Sequence, residues 1–228
     1  PSNSDRVTIG GIITGAGGLT KTGIGTVELD QDSTYAGDTV VAGGVLLLHS
    51  ANALPGGIGF SGGTSALTLT NGGVLGLGAG NFTRGLGTGD DQIQWTGDGG
   101  FAAYNATRTV VLGGGIGTTQ TVTWGSGGFV PDGSTFILGA VGSTNLINFV
   151  NRIDLGSEQR TIQADNGSPS IDGQISGIIS GTGGITKTGA GGLYLSAGNT
   201  YTGRTIIDDG ILRIASEASL GANPGSFT

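Results

Sequence analysis

One stretch of the sequence occurs twice: IITGAGGLTKTG at residues 12–23 returns as IISGTGGITKTG at residues 178–189. The match extends on both sides, so that residues 9–54 align with residues 175–220 without a gap, at a constant offset of 166. Self-similarity at a fixed offset is the signature of a repeat architecture. We therefore predict that the two segments are homologous repeats within one fold.

Each repeat carries one lysine and one tyrosine at matching positions. Lys21 and Lys187 are the two lysines of the protein, and they are equivalent in the alignment, as are Tyr35 and Tyr201. We predict that each lysine points outward from a strand and keeps that face soluble, with a binding stripe for acidic glycans as the alternative. Each tyrosine is predicted to cover glycine-rich backbone at a corner in the same way in both repeats, with a sugar-stacking platform as the alternative.

Short strands followed by turns dominate the chain. Runs of four to six β-branched, aromatic or alternating residues, such as residues 65–70 and 107–112, are bounded by Gly, Asn, Asp or Ser. Helix signals are nearly absent, apart from one short turn each near residues 51–54 and 216–220. The 51 glycines are expected at the corners between strands, because Gly adopts positive φ and permits close backbone approach.

These patterns predict an all-β fold, a single continuous β-solenoid over residues 1–228. In such a coil each rung stacks on the next at ~4.8 Å, and backbone groups pair above and below. Three short strands per rung, at roughly 18–25 residues, give about ten rungs, and the repeat offset then corresponds to about eight rungs. Residues 55–174 are predicted to form variable rungs between the repeats, with little or no α-helix.

Composition excludes several classes of protein. The formal net charge is −7, so the chain lacks the basic surface that binding of nucleic acid or anionic lipid needs. The longest aliphatic run, residues 45–48, is far too short for membrane insertion. The absence of Cys excludes disulfides, thiolate metal sites and a cysteine nucleophile. Because there is no Met even at position 1, we expect the chain to begin after processing or to be a slice of something longer.

Three glycine-rich strings, at residues 15–23, 183–196 and 199–203, carry a family resemblance. They resemble the autotransporter-associated β-strand repeat, also called the passenger-associated transport repeat. The second copy follows that pattern closely. The first copy departs from it at Glu28, Asp30, Gln31, Asp32 and Asp38.

The resemblance implies a right-handed β-solenoid (β-helix) that belongs to a very long secreted or surface-displayed bacterial protein. In such proteins the repeat aids export or folding of the passenger, so the implied location is extracellular or at the bacterial cell surface. Residues 57–173 resemble the variable material between such repeats only in style.

Clustered acids are the catalytic groups of the polysaccharide lyases and hydrolases that use a β-helix. Asp90-Asp91 and Asp208-Asp209 are adjacent pairs. Consecutive strand residues point to opposite faces, so neither pair converges without a turn. We interpret them as solvated turn acids and predict that the chain is not an enzyme.

Residues 87–93 offer one calcium candidate. GTGDDQI fits the end of the calcium-binding nonapeptide Gly-Gly-x-Gly-x-Asp-x-Ile, which makes Asp90 and Asp91 candidate ligands. Such sites need neighbouring copies in register, and no second copy is visible, so no cofactor is predicted. His49 aligns with Ala215 and is interpreted as an ordinary surface or edge residue. With one His and no Cys, the chain lacks enough ligands for a transition-metal site and enough residues to argue for a Ser-His-Asp site.

The sequence as a whole predicts a non-catalytic structural module of an extracellular or cell-surface bacterial fibre, stalk or autotransporter-type passenger. Neither terminus shows the cap that solenoids normally need, so we expect head-to-tail association with other copies or continuation into a longer solenoid. Two rival classes remain. One is a glycan-binding adhesin with an exposed stripe of Trp95, Tyr104 and Trp124, and the other is a polysaccharide-processing enzyme.

Overall fold

The computed structural model describes residues 5–113 and 120–222, and their regular structure is almost entirely β. The strands are β1 (Arg6–Ile9), β2 (Leu19–Thr22), β3 (Thr26–Leu29), β4 (Thr39–Ala42), β5 (Val45–Leu48), β6 (Leu67–Thr70), β7 (Gly73–Leu77), β8 (Gly85–Leu86), β9 (Gln92–Trp95), β10 (Gly99–Ala103), β11 (Arg108–Val110), β12 (Thr121–Thr123), β13 (Thr135–Leu138), β14 (Ile147–Phe149), β15 (Arg152–Asp154), β16 (Arg160–Ala164), β17 (Gly173–Ile175), β18 (Ile179–Ser180), β19 (Ile185–Thr188), β20 (Gly192–Leu195), β21 (Thr205–Ile207) and β22 (Ile211–Ile214). Two 3-10 helices, Ala51–Ala53 and Glu217–Leu220, complete the described ranges, which contain no α-helix.

The strands stack into four parallel sheets. The longest, here called the long sheet, has the order β1-β3-β5-β7-β10-β13-β16-β19-β21. The N-terminal sheet has the order β2-β4-β6-β9-β8, the C-terminal sheet β11-β14-β17-β20-β22, and the small sheet β12-β15-β18. Consecutive strands of the chain mostly lie in different sheets, and each pairs with a strand one coil away. The fold is therefore an all-β parallel β-solenoid, as the sequence predicts, with nine strands stacked in its long sheet.

Glycine corners set the short strand length. Gly23 directly follows β2 and Gly189 directly follows β19, both with φ of +76°. Residues with a side chain rarely adopt this left-handed backbone conformation, whereas Gly adopts it at no steric cost. The chain can therefore turn sharply at these points. The β-branched and aliphatic residues between corners supply the strands.

The spacing between the two repeats differs from the prediction. Within the repeats a coil takes 20 residues, since Leu19 pairs with Thr39 and Ile185 with Thr205. The intervening coils are longer, and the longest separates Gly99 from Phe136 by 37 residues and, on another face, Arg108 from Ile147 by 39. Six steps in the long sheet therefore separate β3 from β19, and the prediction of about eight rungs is wrong.

The second repeat is also turned about the solenoid axis relative to the first. β2 lies in the N-terminal sheet, but its equivalent β19 lies in the long sheet. Likewise β3 lies in the long sheet and its equivalent β20 in the C-terminal sheet. The offset of 166 residues thus amounts to six coils plus one further face, so equivalent outer surfaces of the two repeats look in different directions.

The core is a continuous column of inward side chains that widens in the middle of the chain. Aliphatic residues such as Leu29, Leu67 and Leu193 fill it at both ends. Aromatic rings fill it around the longest coil, where more interior volume must be occupied. The aromatic members are Phe82, Trp95, Phe101, Trp124, Phe129, Phe136 and Phe149.

The predicted ligand-facing stripe of Trp95, Tyr104 and Trp124 is wrong, because all three side chains are buried. The rings of Trp95 and Trp124 both meet Phe129 edge-on inside the solenoid, with centroids 5.4 and 5.7 Å away. Tyr104 lies on the outer face of the long sheet but is covered in a small apolar cluster with Leu47. These rings stabilise the fold and cannot meet a glycan.

No helix of the described ranges is long and apolar enough to cross a membrane.

Candidate functional site

The lysine of the first repeat is enclosed by backbone carbonyls. Lys21 lies in β2 and is only 5% exposed. Its Nζ donates to the carbonyls of Thr22 at 3.0 Å and Gly23 at 2.7 Å, in its own coil, and to that of Gly43 at 2.9 Å, in the next coil. The three ammonium protons therefore have three acceptors, and the side chain bridges two successive coils.

Lys187 repeats this arrangement and is completely buried. Its Nζ donates to the carbonyls of Thr188 at 2.8 Å, Gly189 at 2.5 Å and Asp209 at 2.9 Å. A Cβ at Gly210 would lie 2.7 Å from this Nζ, so the adjoining corner has room only for glycine. The acceptor in the next coil is a carbonyl group, which any residue can supply, and this explains why the first repeat has Gly43 where the second has Asp209.

The prediction that the lysines point outward is therefore wrong. Burial lowers the pKa of Lys21, and it also lowers that of Lys187, where Asp209, Asp172 and Asp165 partly oppose the effect. The carbonyl cage replaces the water that each ammonium gives up, which makes burial tolerable. Neither lysine can bind an acidic glycan from this position.

The signature tyrosines are buried at matching corners. The hydroxyl of Tyr35 lies 2.6 Å from Thr39 Oγ1, and that of Tyr201 lies 2.6 Å from Thr205 Oγ1. Burial raises the pKa of both tyrosines, and their threonine partners oppose this only in part. Both rings lie inside the fold, so neither offers a platform for a sugar.

Arg84 is a third caged cation, which sequence reasoning missed. It is fully buried, and its guanidinium donates to the carbonyls of Gly57 at 2.9 Å, Ser65 at 2.5 Å and Pro55 at 3.2 Å. Burial lowers its pKa to about 10, while Tyr35 and Asp91 favour the charged form. Arg84 organises the loop between β5 and β6. A sequence signal for its burial was the alternation of side chains before it, because Arg84 lies two residues after Phe82, which is buried.

The outer face of the first repeat carries a charged cluster that the sequence did not predict. Glu28, on β3, accepts from Arg6 Nη1 through Oε1 and from Thr8 Oγ1 through Oε2 at 3.0 Å. His49 Nε2 lies 3.6 Å from the same Oε2. Glu28, Asp30 and His49 each place one potential ligand atom within 4.8 Å of the others. His49, interpreted from sequence as an ordinary surface residue, thus belongs to a polar group.

The equivalent positions of the second repeat hold different residues. Tyr194 replaces Glu28 and pairs in register with Gln174 on one side and Arg213 on the other. The guanidinium of Arg213 lies 4.8 Å from the centre of the Tyr194 ring. These three residues line an open groove of 390 Å³ together with Thr144 and Asn145.

The acid pairs do not form a convergent site. Asp208 and Asp209 are exposed at a turn, and the carbonyl of Asp209 is occupied by Lys187. Asp90 and Asp91 lie in the turn between β8 and β9. Within residues 5–113 and 120–222 they do not join a third carboxylate or imidazole, so the structure adds no further ligand to this calcium candidate.

The comparison with protein families agrees with this geometry. The model of the passenger-associated-transport-repeat matches residues 19–48 and 185–214. The chain contains two copies of this repeat. The matched segments run from the start of β2 to the end of β5, and from the start of β19 to the end of β22. One passenger-associated transport repeat is thus two stacked levels of two strands, joined by the buried lysine.

One similar protein in the comparisons is the adhesin BmaC autotransporter of Brucella suis biovar 1 (strain 1330). It is 34% identical over an alignment 242 positions long, which covers 85% of this chain and 7% of the adhesin. The similarity therefore extends through the coils between the two passenger-associated transport repeats. The chain spans less than a tenth of the length of that relative. No solved structure gives a significant match.

Proposed function

We propose that the chain is a rigid, non-catalytic segment of an autotransporter-type adhesin passenger, located outside the cell or at the bacterial cell surface. The similarity to the adhesin over 85% of the chain is the observation that carries this proposal. The two passenger-associated transport repeats support it. The segment's role is mechanical: it extends the passenger and holds outer-face side chains at fixed spacing.

The two ends of the long sheet support continuation of the coil. β1 forms one edge and β21 the other. Apolar side chains are exposed at both, with Val7 61% exposed at the first strand and Ile207 46% exposed at the last. An open parallel edge with apolar residues is a surface for another strand. We propose that further rungs of the same polypeptide cover these edges, and that the isolated chain associates head to tail instead.

Head-to-tail association can prolong the long sheet from one copy to the next. β1 and β21 belong to the same sheet, so the β1 of one copy can pair with the β21 of another and prolong the long sheet. A contact of this kind does not close on itself, and it therefore produces open filaments.

Surface labelling tests the proposed location in the full-length passenger. Gly127 is exposed, and a side chain there would meet nothing within 4 Å, so an epitope tag inserted after it should leave the fold intact. We expect intact bacteria to bind the anti-tag antibody, and protease added outside to remove the signal. Labelling only after lysis, with a periplasmic tagged protein as the control, would contradict the proposal.

Glycan binding is a second candidate function, favoured by the groove beside Tyr194. Arg213 is exposed at its edge, and Gln174 adds an amide, a combination suited to an acidic sugar. A glycan array should then show binding that R213A abolishes and R152A, at an exposed arginine elsewhere, does not. The same glycans should release no reducing sugar on incubation, since the proposed role is not enzymatic.

A further inference from the structure

We propose that Glu28, Asp30 and His49 form a binding site for a divalent transition-metal ion of the Zn²⁺ class on the outer face of the first repeat. Two carboxylates and one imidazole are a donor set that such ions accept, with water completing the coordination. The potential ligand atoms of all three residues lie within 4.8 Å of one another. This site is independent of the proposed passenger role.

The distance between the imidazole and the carboxylate favours an ion between them. His49 Nε2 and Glu28 Oε2 are 3.6 Å apart, which is too long for a normal hydrogen bond. Two ligands of a tetrahedral ion, each about 2.0–2.2 Å from the metal, are separated by about 3.4 Å. The observed spacing is therefore close to the one that a shared ion requires.

The backbone holds the three ligands on rigid elements. Glu28 lies in β3, and the main-chain amide of Asp30, just after that strand, donates to Ile9 at 3.2 Å. The amide of His49, just after β5, donates to Leu29 at 2.9 Å. Since adjacent strands of one ladder fix these residues, little ordering is needed when an ion binds.

Neighbouring groups orient the Glu28 carboxylate. Arg6 occupies Oε1, while Oε2 is the atom that faces His49. Thr8 Oγ1 donates to Oε2 at 3.0 Å and keeps it on this side. Metal-binding carboxylates are commonly held by outer hydrogen bonds in this way. Arg6 and Thr8 are therefore positioning residues of the proposed site.

The hydroxyl of Tyr104 provides an independent observation beside the cluster. Its hydroxyl is buried without a hydrogen-bond partner, and the side chain is only 3% exposed. The ring lies over Gly76, on the same outer ladder as Leu47 and Glu28. Leu47 stands opposite Glu28 in that ladder, and the hydroxyl lies within electrostatic reach of Glu28 and Arg6. A water bound to the ion would give it a partner.

The second repeat supplies a matched control, because its equivalent positions hold no metal ligand. Tyr194, Ser196 and Ala215 stand where the first repeat has Glu28, Asp30 and His49. The same backbone therefore tolerates Ser and Ala at two of the three ligand positions. D30S and H49A are accordingly variants that should fold.

Calorimetric titration of the whole chain with Zn²⁺, together with Co²⁺ absorption, tests the site. We expect one saturable ion per chain, binding at least tenfold weaker in D30S and in H49A, and unchanged binding in D208A, which gives an exposed second-repeat acid the residue of the first repeat. Y104F should bind a few-fold more weakly. Circular dichroism checks that each variant is folded.

Three results would overturn the proposal. They are the absence of saturable binding, equal affinity of parent, D30S and H49A, and Ca²⁺ binding as tight as Zn²⁺ without dependence on His49. The imidazole predicts the opposite order of ions, because Ca²⁺ prefers oxygen ligands.

Discussion

The ammonium of Lys187 donates to the main-chain carbonyl of Asp209, 22 residues further along the chain, at 2.9 Å. The same group also binds two carbonyls of its own corner, so one side chain fastens a turn to the turn stacked on it. Lys21 makes the equivalent contact with Gly43. The lysine of each repeat, which the sequence suggests is a surface charge, is thus a buried residue that links two successive coils.

Replacing Lys187 by Met should lower the free energy of unfolding by about 2–4 kcal/mol, because buried carbonyls lose their donor while the aliphatic stem is kept. Urea denaturation measures this. Arg152 is exposed, and R152M serves as the control, with an expected change within about 0.5 kcal/mol. Equal stability of K187M and R152M would show that the cage contributes nothing.

Replacing Gly210 by Ala should also destabilise the protein, by more than about 1 kcal/mol. Its φ is +71°, and a Cβ would lie 2.4 Å from the carbonyl oxygen of Gly189. Gly17 is the matched control, since a Cβ there meets nothing within 4 Å. Thermal unfolding followed by circular dichroism compares G210A with G17A. A lower midpoint for G17A than for G210A would contradict the packing of this corner.

Alkaline pH should weaken the fold through Tyr104. Burial raises its pKa to about 12, above the ordinary value of 10.0. The unfolded chain therefore releases this proton first, so the stabilisation is present below pH 10 and is lost as pH rises towards 12.

The difference in unfolding free energy between parent and Y104F isolates this effect from other titrating groups. The free energy of unfolding of the parent, relative to that of Y104F, should fall by about 2–3 kcal/mol as the pH rises from about 10 to about 12. A difference that stays constant with pH would mean that the hydroxyl is not buried in the folded protein.

Charge at the open edge should stop head-to-tail association. Ile207 ends β21, and I207K places a charge where the next strand would pair. Phe60 is 51% exposed but lies between β5 and β6, so F60K is the control. In sedimentation velocity over a concentration series, the parent and F60K should form larger species and I207K should remain monomeric. Unaltered association of I207K would place the contact elsewhere.

Much of the fold could be predicted because its signals are local. Gly23 and Gly189 end their strands through positive φ, and the matching strings around them identified the repeat. The directions of the signature lysines and of the core tryptophans could also be derived from the sequence, although the predictions made for them are wrong. Leu19 and Lys21 are two residues apart in β2 and therefore share the inward face, and Val122 and Trp124, which directly follows β12, have the same spacing.

The candidate site could not be predicted, because it depends on pairing between coils. Glu28 and His49 meet only because β3 pairs with β5 at one register, with Glu28 opposite Leu47. The predicted number of coils between the repeats is wrong for a related reason. Insertions such as the one between Gly99 and Phe136 lengthen a coil without adding a level, and no local pattern reveals this.

Electron microscopy of the purified chain would show whether the stacked coils leave two edges that accept further rungs. We expect rods of constant width, whose lengths increase with concentration in multiples of one subunit. Compact particles, or single rods of one length at every concentration, would contradict it.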